Sequence, residues 1–272
     1  MAAAMVELSS TSALLAGMAR AKEIAVEAYT LHGSVLSAAE SAARQGAHVA
    51  VRLAGQLYDD RGGGLARENG RVAAELRQSG AEVTLEPGLH CKAIAVDGSL
   101  YLDGKNWHEG DLVLRDSDPA DAGKISATKR DALESEGELL RGARAADGAI
   151  VESESFGCCN GVFYALRSLG RSGAAPRLLV SARDLRGNDR ERRALDELVS
   201  DGVKVRVCGD SEKLAAVGDR AWLGSANATV AAGKWNMIDW GLSTGDATIA
   251  SAVRRRLEAE WAVARDFRSA AT

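Results

Sequence analysis

His90, Lys92 and Asn106 are the residues of this 272-residue chain whose types and spacing best suit chemistry. In the run His90-Cys91-Lys92-Ala93-Ile94-Ala95-Val96-Asp97, strand alternation puts His90 and Lys92 on one face and Cys91 on the other. Asp103-Gly104-Lys105-Asn106 follows after five residues. Lys92 and Asn106 recur without a gap as Lys213 and Asn227, each 121 positions on, while the place of His90 is taken by Ser211. An imidazole is a nucleophile or a proton carrier. Ammonium and side-chain amide groups are donors for an oxyanion whose charge grows on attack. The four histidines, His32, His48, His90 and His108, all precede residue 109, so the second copy has none.

The elements that must position these residues also repeat. In the first half, Glu23 to Thr30 alternates as a strand, Val35 to Arg44 reads as a helix and His48 to Leu53 as a strand. A glycine-rich loop at Arg61 to Gly64 precedes a helix through Gln78, closed by Gly80, then a strand Glu82 to Leu85 and another from His90. The second half has the same order: strand Ala149 to Ser153, helix Gly161 to Leu169, strand Arg177 to Val180, helix Asp189 to Val199 and strand Val203 to Val207. This is an internal duplication. Asp116 to Asp147 is polar and carries one helix around Ser126 to Arg144, so it reads as a connector. The expected domains are an N-terminal lobe 1–115, a connecting segment 116–147 and a C-terminal lobe 148–272.

These residues resemble the signature of the phospholipase D superfamily, His-x-Lys-x4-Asp followed by Gly-Ser-x-Asn or Gly-Gly-x-Asn, once in each of two lobes. The first motif ends on Asp97, and the second retains Lys213 and the run Gly224-Ser225-Ala226-Asn227. The Glu27-Ala28-Tyr29 strand, the pairs Gly80/Val83 and Gly202/Val205 ahead of each motif, and Trp261 in the last helix extend the resemblance over nearly the whole chain. It implies an α/β fold of two pseudo-twofold-related lobes, each a mixed, largely parallel sheet flanked by helices, with the site at their interface.

The resemblance further implies a phosphodiester substrate, a phospholipid or a nucleic acid. Lys92, Asn106, Lys213, Ser225 and Asn227 would hold the phosphate, and a phosphohistidine at His90 would be discharged by water or an alcohol. His90, Lys92, Asp97, Asn106 and Lys213 form the implied catalytic set, with no metal and no cofactor. Asp111, Glu109 and Asp239 are the acidic residues available to orient the histidine.

The chain departs from the pattern at three places. Ser211 stands where the family has a second histidine that protonates the leaving oxygen, Gly218 where it has the motif aspartate, and Asp103-Gly104 where it has Gly-Ser. Hydrolysis or transfer of a phosphodiester is the leading expectation. The alternative is a non-catalytic phosphate-binding or regulatory protein, and a monomer and a homodimer supplying two copies of His90 both stay open. His32 is the one stand-in for the missing acid.

Composition sets further limits. Lys and Arg total 34 against 38 Asp and Glu, a net charge of −4, which argues against a sequence-independent electrostatic hold on nucleic acid. Cys91, Cys158, Cys159 and Cys208 show neither zinc spacing nor a disulfide framework and read as reduced thiols. The apolar patch Ala13 to Met18 has no basic region ahead of it, and no run reaches membrane-spanning length, so a cytoplasmic protein is expected. Arg61-Gly62-Gly63-Gly64 lacks the Gly-Lys-Ser/Thr of a phosphate loop, Arg254 to Arg256 read as a solvated helix face, and Trp222, Trp235 and Trp240 as core.

Overall fold

The computed structural model describes residues 6–56, 63–118, 127–182, 185, 189–209, 212–229 and 237–268. Ser211, Trp235, and Arg61 with Gly62 of the glycine-rich loop lie outside them. The chain divides into two compact units. One comprises residues 1–126 together with Met237–Asp239, the other residues 127–236 and 240–272. The helix expected in a connector, Lys129–Arg141, therefore belongs to the second unit, and a short piece of the C-terminal half belongs to the first.

The first unit holds strands β1 (Val6–Ser9), β2 (Glu23–Ala28), β3 (His48–Gln56), β4 (Glu82–Pro87), β5 (Lys92–Val96), β6 (Ser99–Asp103) and β7 (Val113–Asp116) in the order β1-β7-β6-β5-β2-β3-β4. Helices Gly33–Arg44 and Gly64–Gln78 supply the crossovers of the parallel pairs β2–β3 and β3–β4. Gly80, at φ +97°, ends the second of them in the left-handed conformation expected just past a helix. Leu14, Val35, Val49, Val51, Val72, Leu76, Ile94 and Val96 are among the buried side chains of its core.

After β8 (Ala127–Thr128), the second unit holds β9 (Ile150–Ser153), β10 (Arg177–Ser181), β11 (Lys204–Cys208), β12 (Leu214–Val217) and β13 (Arg220–Gly224). The short β14 (Ile238–Asp239) falls in the first unit, and β15 (Gly241–Thr244) and β16 (Arg265–Asp266) complete the set. The order β15-β13-β12-β9-β10-β11 repeats β7-β6-β5-β2-β3-β4 strand for strand; β16 is added beyond β11 in the second sheet, as β1 is beyond β7 in the first.

Both sheets are mixed, but antiparallel pairs outnumber parallel ones, which corrects the expectation of largely parallel sheets. Only β2–β3 and β3–β4 in one unit, and β9–β10 and β10–β11 in the other, run parallel. The reason lies in the turns that follow each motif strand. Asp97-Gly98, with φ of 46° and 83°, joins Val96 to Ser99 in two residues, a connection open only to antiparallel strands. Gly218, at φ +58°, opens the equivalent turn between Val217 and Arg220.

Candidate active site

His90 does not lie in a strand. Its backbone N–H and that of Cys91 both donate to the carbonyl of Ile238, at 2.9 and 2.8 Å, so β5 begins at Lys92 rather than at His90 as expected. Ile238 in turn donates to the carbonyl of Gly88 at 2.8 Å. This fastens β14 beside the motif and brings Asp239 to the imidazole, with Oδ1 2.7 Å from His90 Nδ1. His90 is 3% exposed and Asp239 fully buried. Of the three acidic residues available from sequence, Asp239 is therefore the one that meets His90.

A carboxylate on Nδ1 selects the tautomer that keeps a proton there and places the ring's lone pair on Nε2. Asp111 instead accepts from the backbone N–H of His108 at 2.7 Å and lies 3.8 Å from Lys105 Nζ, and Glu109 is exposed.

Lys92 is 1% exposed. Its ammonium donates to the carbonyl of His90 at 2.7 Å and lies 5.5 Å from the centre of the Tyr29 ring. The same ring meets the His90 imidazole edge-on at 4.9 Å. Tyr29 follows directly on β2, whose last residue, Ala28, pairs with Lys92. Asn106 stands one residue along, its Oδ1 accepting from Thr30 Oγ1 at 3.4 Å. Cys91 is fully buried and donates to Glu27 at 3.4 Å, and its thiol is pushed well up by burial and by the Glu27 charge.

Asp97 is not brought to His90. It sits at the far end of β5, where its carboxylate accepts from the backbone N–H groups of Lys22 and Glu23 at 3.0 and 2.9 Å, and its own N–H donates to the carbonyl of Glu23. Gly218 makes the equivalent backbone bond, donating to the carbonyl of Asp147 at 3.0 Å. Both residues open a tight turn with positive φ, a conformation glycine adopts freely and aspartate tolerates. The exchange of motif aspartate for glycine between the copies is thus a change of turn residue.

The departure at Asp103-Gly104 has a packing cause. A Cβ on Gly224 would stand 2.6 Å from the Trp222 ring and 2.7 Å from the carbonyl of Trp240, so only glycine fits there. The register equivalent of Trp222 is Tyr101, and the first copy has room for Asp103, whose carboxylate accepts from the backbone N–H of Trp107 at 2.6 Å. Burial, reinforced by the Asp111 charge, raises its pKa from 3.8 to about 6.

In the second unit, the Lys213 ammonium, with a side chain 2% exposed, donates to Glu154 at 2.8 Å. Glu154 is the residue after β9, as Tyr29 is after β2, so one lysine meets an aromatic face where the other meets a carboxylate. Sequence reading missed both partners. Only the strand registers, Ala28 with Lys92 and Glu152 with Leu214, locate them.

Ser225 holds Trp240 by both backbone groups, accepting from its N–H and donating its own N–H to its carbonyl, each at 3.0 Å. Asn227 is 4% exposed, and Ala228 beside it donates to Ser153 Oγ at 3.1 Å. Lys129, a buried ammonium that sequence did not single out, donates to Thr229 Oγ1 at 2.8 Å.

Among the described residues one set of ligating atoms lies within 4.8 Å of one another, from Glu152, Cys208 and Glu260. The Arg256 guanidinium reaches Glu212 at 3.1 Å and Glu260 at 2.8 Å, so cationic charge is already supplied beside that set. Burial pushes the Glu152 carboxyl well up, and the Glu260 carboxylate facing it adds to this. Of the arginine run, Arg255 is exposed as expected of a solvated face, whereas Arg254 donates to the carbonyls of Asp147, Gly148 and Gly218 and Arg256 joins the carboxylates. His32 stands at the N-cap position of the helix Gly33–Arg44 without a capping side-chain hydrogen bond, and its ring lies 5.4 Å from that of His108. Trp222 is core, fully buried with Nε1 donating to Ser135 at 2.9 Å, and Trp240 is buried. No described helix is long and apolar enough to cross a membrane.

No family model matches the chain, and no curated protein is similar to it by sequence. Solved structures are similar in fold. Phosphatidylserine synthase from Haemophilus influenzae matches 96% of this chain and 87% of its own at a TM-score of 0.68 and 11% identity. Polyphosphate kinase from Porphyromonas gingivalis matches 95% of this chain at a TM-score of 0.62 and 17% identity, and this chain spans 47% of its length. A phospholipase D family member, Nuc from Salmonella typhimurium, matches 49% of this chain and 88% of its own at 0.44 and 19%.

Proposed function

We propose, from the phospholipase D-like fold that the chain carries, that the protein hydrolyses or transfers a phosphodiester through His90. The observation that carries this reading is the buried pair of His90 Nδ1 and Asp239 Oδ1 at 2.7 Å. With its proton fixed on Nδ1, the imidazole presents Nε2 as the attacking atom. Nε2 bonds to phosphorus, the ester oxygen leaves with its bonding electrons, and a phosphohistidine forms. As Nε2 turns positive, the Asp239 carboxylate stabilises the ring. Water or an alcohol then attacks phosphorus, the P–Nε2 bond breaks with its electron pair returning to Nε2, and the O–H proton passes through solvent to the alkoxide released in the first step.

Lys92 and Asn106 in the first unit, and Lys213, Ser225 and Asn227 in the second, are the proposed phosphate donors. Asp97 is assigned to the turn rather than to proton transfer. The two fold neighbours, a phosphatidylserine synthase and a polyphosphate kinase by name, fit phosphorus chemistry on this scaffold. The substrate class is a phospholipid or a nucleic acid, and neither a metal nor a cofactor is called for by this scheme.

A second reading has its own support. Ser211 cannot protonate a leaving oxygen near neutral pH, and Lys213 is paired with Glu154 at 2.8 Å, which opposes a bound anion. On this reading the protein binds phosphate without turnover. Bis(p-nitrophenyl) phosphate separates the two. The enzyme reading expects turnover by wild type, none by His90→Ala, and phosphate trapped on His90 by rapid quench. No turnover and no trapped phosphate, with binding of inorganic phosphate retained, establishes the second. Lipid vesicles, single-stranded DNA and RNA then resolve the substrate class.

A further inference from the structure

Cys158 and Cys159 are adjacent in sequence and their sulfurs lie 3.3 Å apart. Neighbouring residues in extended backbone direct their side chains to opposite sides. Here the left-handed conformation of Cys159, φ +75°, turns the two thiols together, an uncommon conformation for any residue but glycine. Both are reachable: Cys159 is exposed and Cys158 half-buried, while Cys91 and Cys208 are buried. A disulfide needs about 2.05 Å between sulfurs, so the thiols must approach by little more than 1 Å, and because adjacent Cα atoms stand only about 3.8 Å apart, short of the usual disulfide span, the backbone of Cys158 and Cys159 must move for the bond to form.

The segment that carries the thiols also grips the second motif. Ser153 Oγ accepts from the N–H of Ala228 at 3.1 Å, and Gly157 donates to the carbonyl of Ala228 at 2.7 Å, so both backbone groups of Ala228 are held from Ser153 and Gly157. Ser153 Oγ also donates to the carbonyl of Ser155 at 2.8 Å. Glu154, between them, accepts from Lys213. On the far side of the thiols, Asn160 is fixed as the cap of helix Gly161–Arg171, accepting from the N–H of Phe163 at 2.9 Å. Motion at Cys158 and Cys159 is therefore held at the helix end and passed toward Gly157 and Ala228.

We infer that Cys158 and Cys159 form a redox-sensitive dithiol that closes to a disulfide and loosens the Ser153–Gly157 grip on Ala228. The oxidant is a low-molecular-weight disulfide. One thiolate of the pair attacks it, forming a mixed disulfide and releasing one small thiol. The neighbouring thiolate then attacks the mixed disulfide, forming the Cys158–Cys159 bond and releasing the second small thiol. Two protein thiols are oxidised, one small disulfide is reduced to two thiols, and both protons end on those products. The dithiol stands independently of the phosphodiester reading. Only the consequence for phosphate rests on it.

The full chain is equilibrated with reduced and oxidised glutathione over a range of ratios, alkylated and weighed intact. The expected result is loss of two alkylatable thiols in one step, a 158–159 crosslink on peptide mapping, and no bound glutathione; Cys158→Ser and Cys159→Ser instead each carry one glutathione. Persistent thiols at every ratio, or two glutathiones on wild type, overturns the dithiol.

Hydrogen exchange reads the coupling. Oxidation is expected to speed exchange of the Ala228 and Gly157 amides by about fivefold or more in wild type and not in Cys158→Ser. Unchanged exchange in a fully crosslinked protein overturns the coupling. Inorganic phosphate binding is measured in both states: weaker binding on oxidation extends the inference to the site, whereas absent binding in either state counts against the proposed function alone.

Discussion

Asp239 and His90, 149 positions apart in sequence, meet at 2.7 Å as a fully buried carboxylate–imidazole pair. The Ile238 carbonyl, which takes the backbone N–H groups of both His90 and Cys91, fixes the two segments in register, so the pair is held by main chain as well as by side chains.

Asp239→Asn keeps the shape but lets the ring take the tautomer with its proton on Nε2. Turnover of an activated phosphodiester is expected to fall by about 10²–10⁴-fold, with KM little changed. Equal turnover by folded Asp239→Asn and wild type removes Asp239 from the mechanism.

Leaving groups test the missing acid. With Ser211 in place of a second imidazole, a series of aryl phosphodiesters is expected to show rates that fall steeply as the leaving phenol becomes less acidic, since each departs as its anion. A shallow dependence means that another residue, His32 being the candidate from sequence, donates the proton. His32→Ala would then steepen it.

Asp97→Ala separates turn from chemistry. It removes two backbone hydrogen bonds and puts a less tolerant residue at φ 46°, so it should cost roughly 1–2 kcal/mol of stability by urea denaturation. The turnover of the folded variant should stay within about twofold of wild type. A loss of orders of magnitude in turnover would return Asp97 to the catalytic set.

Asp103 governs a part of the pH dependence of stability. Its pKa is raised to about 6, so between pH 4 and 6 the native chain binds more protons at this residue than the unfolded chain does, and stability falls as pH rises through that window. The difference corresponds to about 3 kcal/mol at neutral pH. Asp103→Asn, which can still accept from the Trp107 N–H, is expected to be the more stable protein at pH 7 and about equal at pH 4. Parallel urea midpoints for the two proteins across this range would contradict the assignment.

Glu154→Gln removes the carboxylate that faces Lys213. Inorganic phosphate should then bind about fivefold more tightly, equivalent to about 1 kcal/mol from an ion pair whose lysine is buried and whose carboxylate is 30% exposed, as read by calorimetry. Weaker binding would show that Glu154 positions Lys213 instead of competing for it.

Much of this was legible in the sequence, and the limits have physical causes. The 121-residue repeat, the strand and helix order, and His90 with Lys92 follow from local pattern, because periodicity and spacing are properties of neighbouring residues. The turn at Asp97-Gly98 is legible too, since Asp-Gly between two apolar runs signals a two-residue hairpin. What pattern cannot supply is pairing at a distance. Tyr29 over Lys92 and Glu154 on Lys213 depend on strand register, and the choice of Asp239 over Asp111 depends on where a distant main-chain carbonyl docks. The grouping of Met237–Asp239 with the first half likewise lies beyond any reading of local composition.

That grouping has a consequence for biosynthesis. A ribosome delivers the N-terminal end first, and every strand of the first sheet is available once residue 116 has emerged. The imidazole partner arrives only with residue 239. Over the intervening synthesis His90 lacks both the Ile238 carbonyl and the Asp239 carboxylate, and a gene fragment ending at residue 126 encodes the first sheet without the buried partner of this histidine.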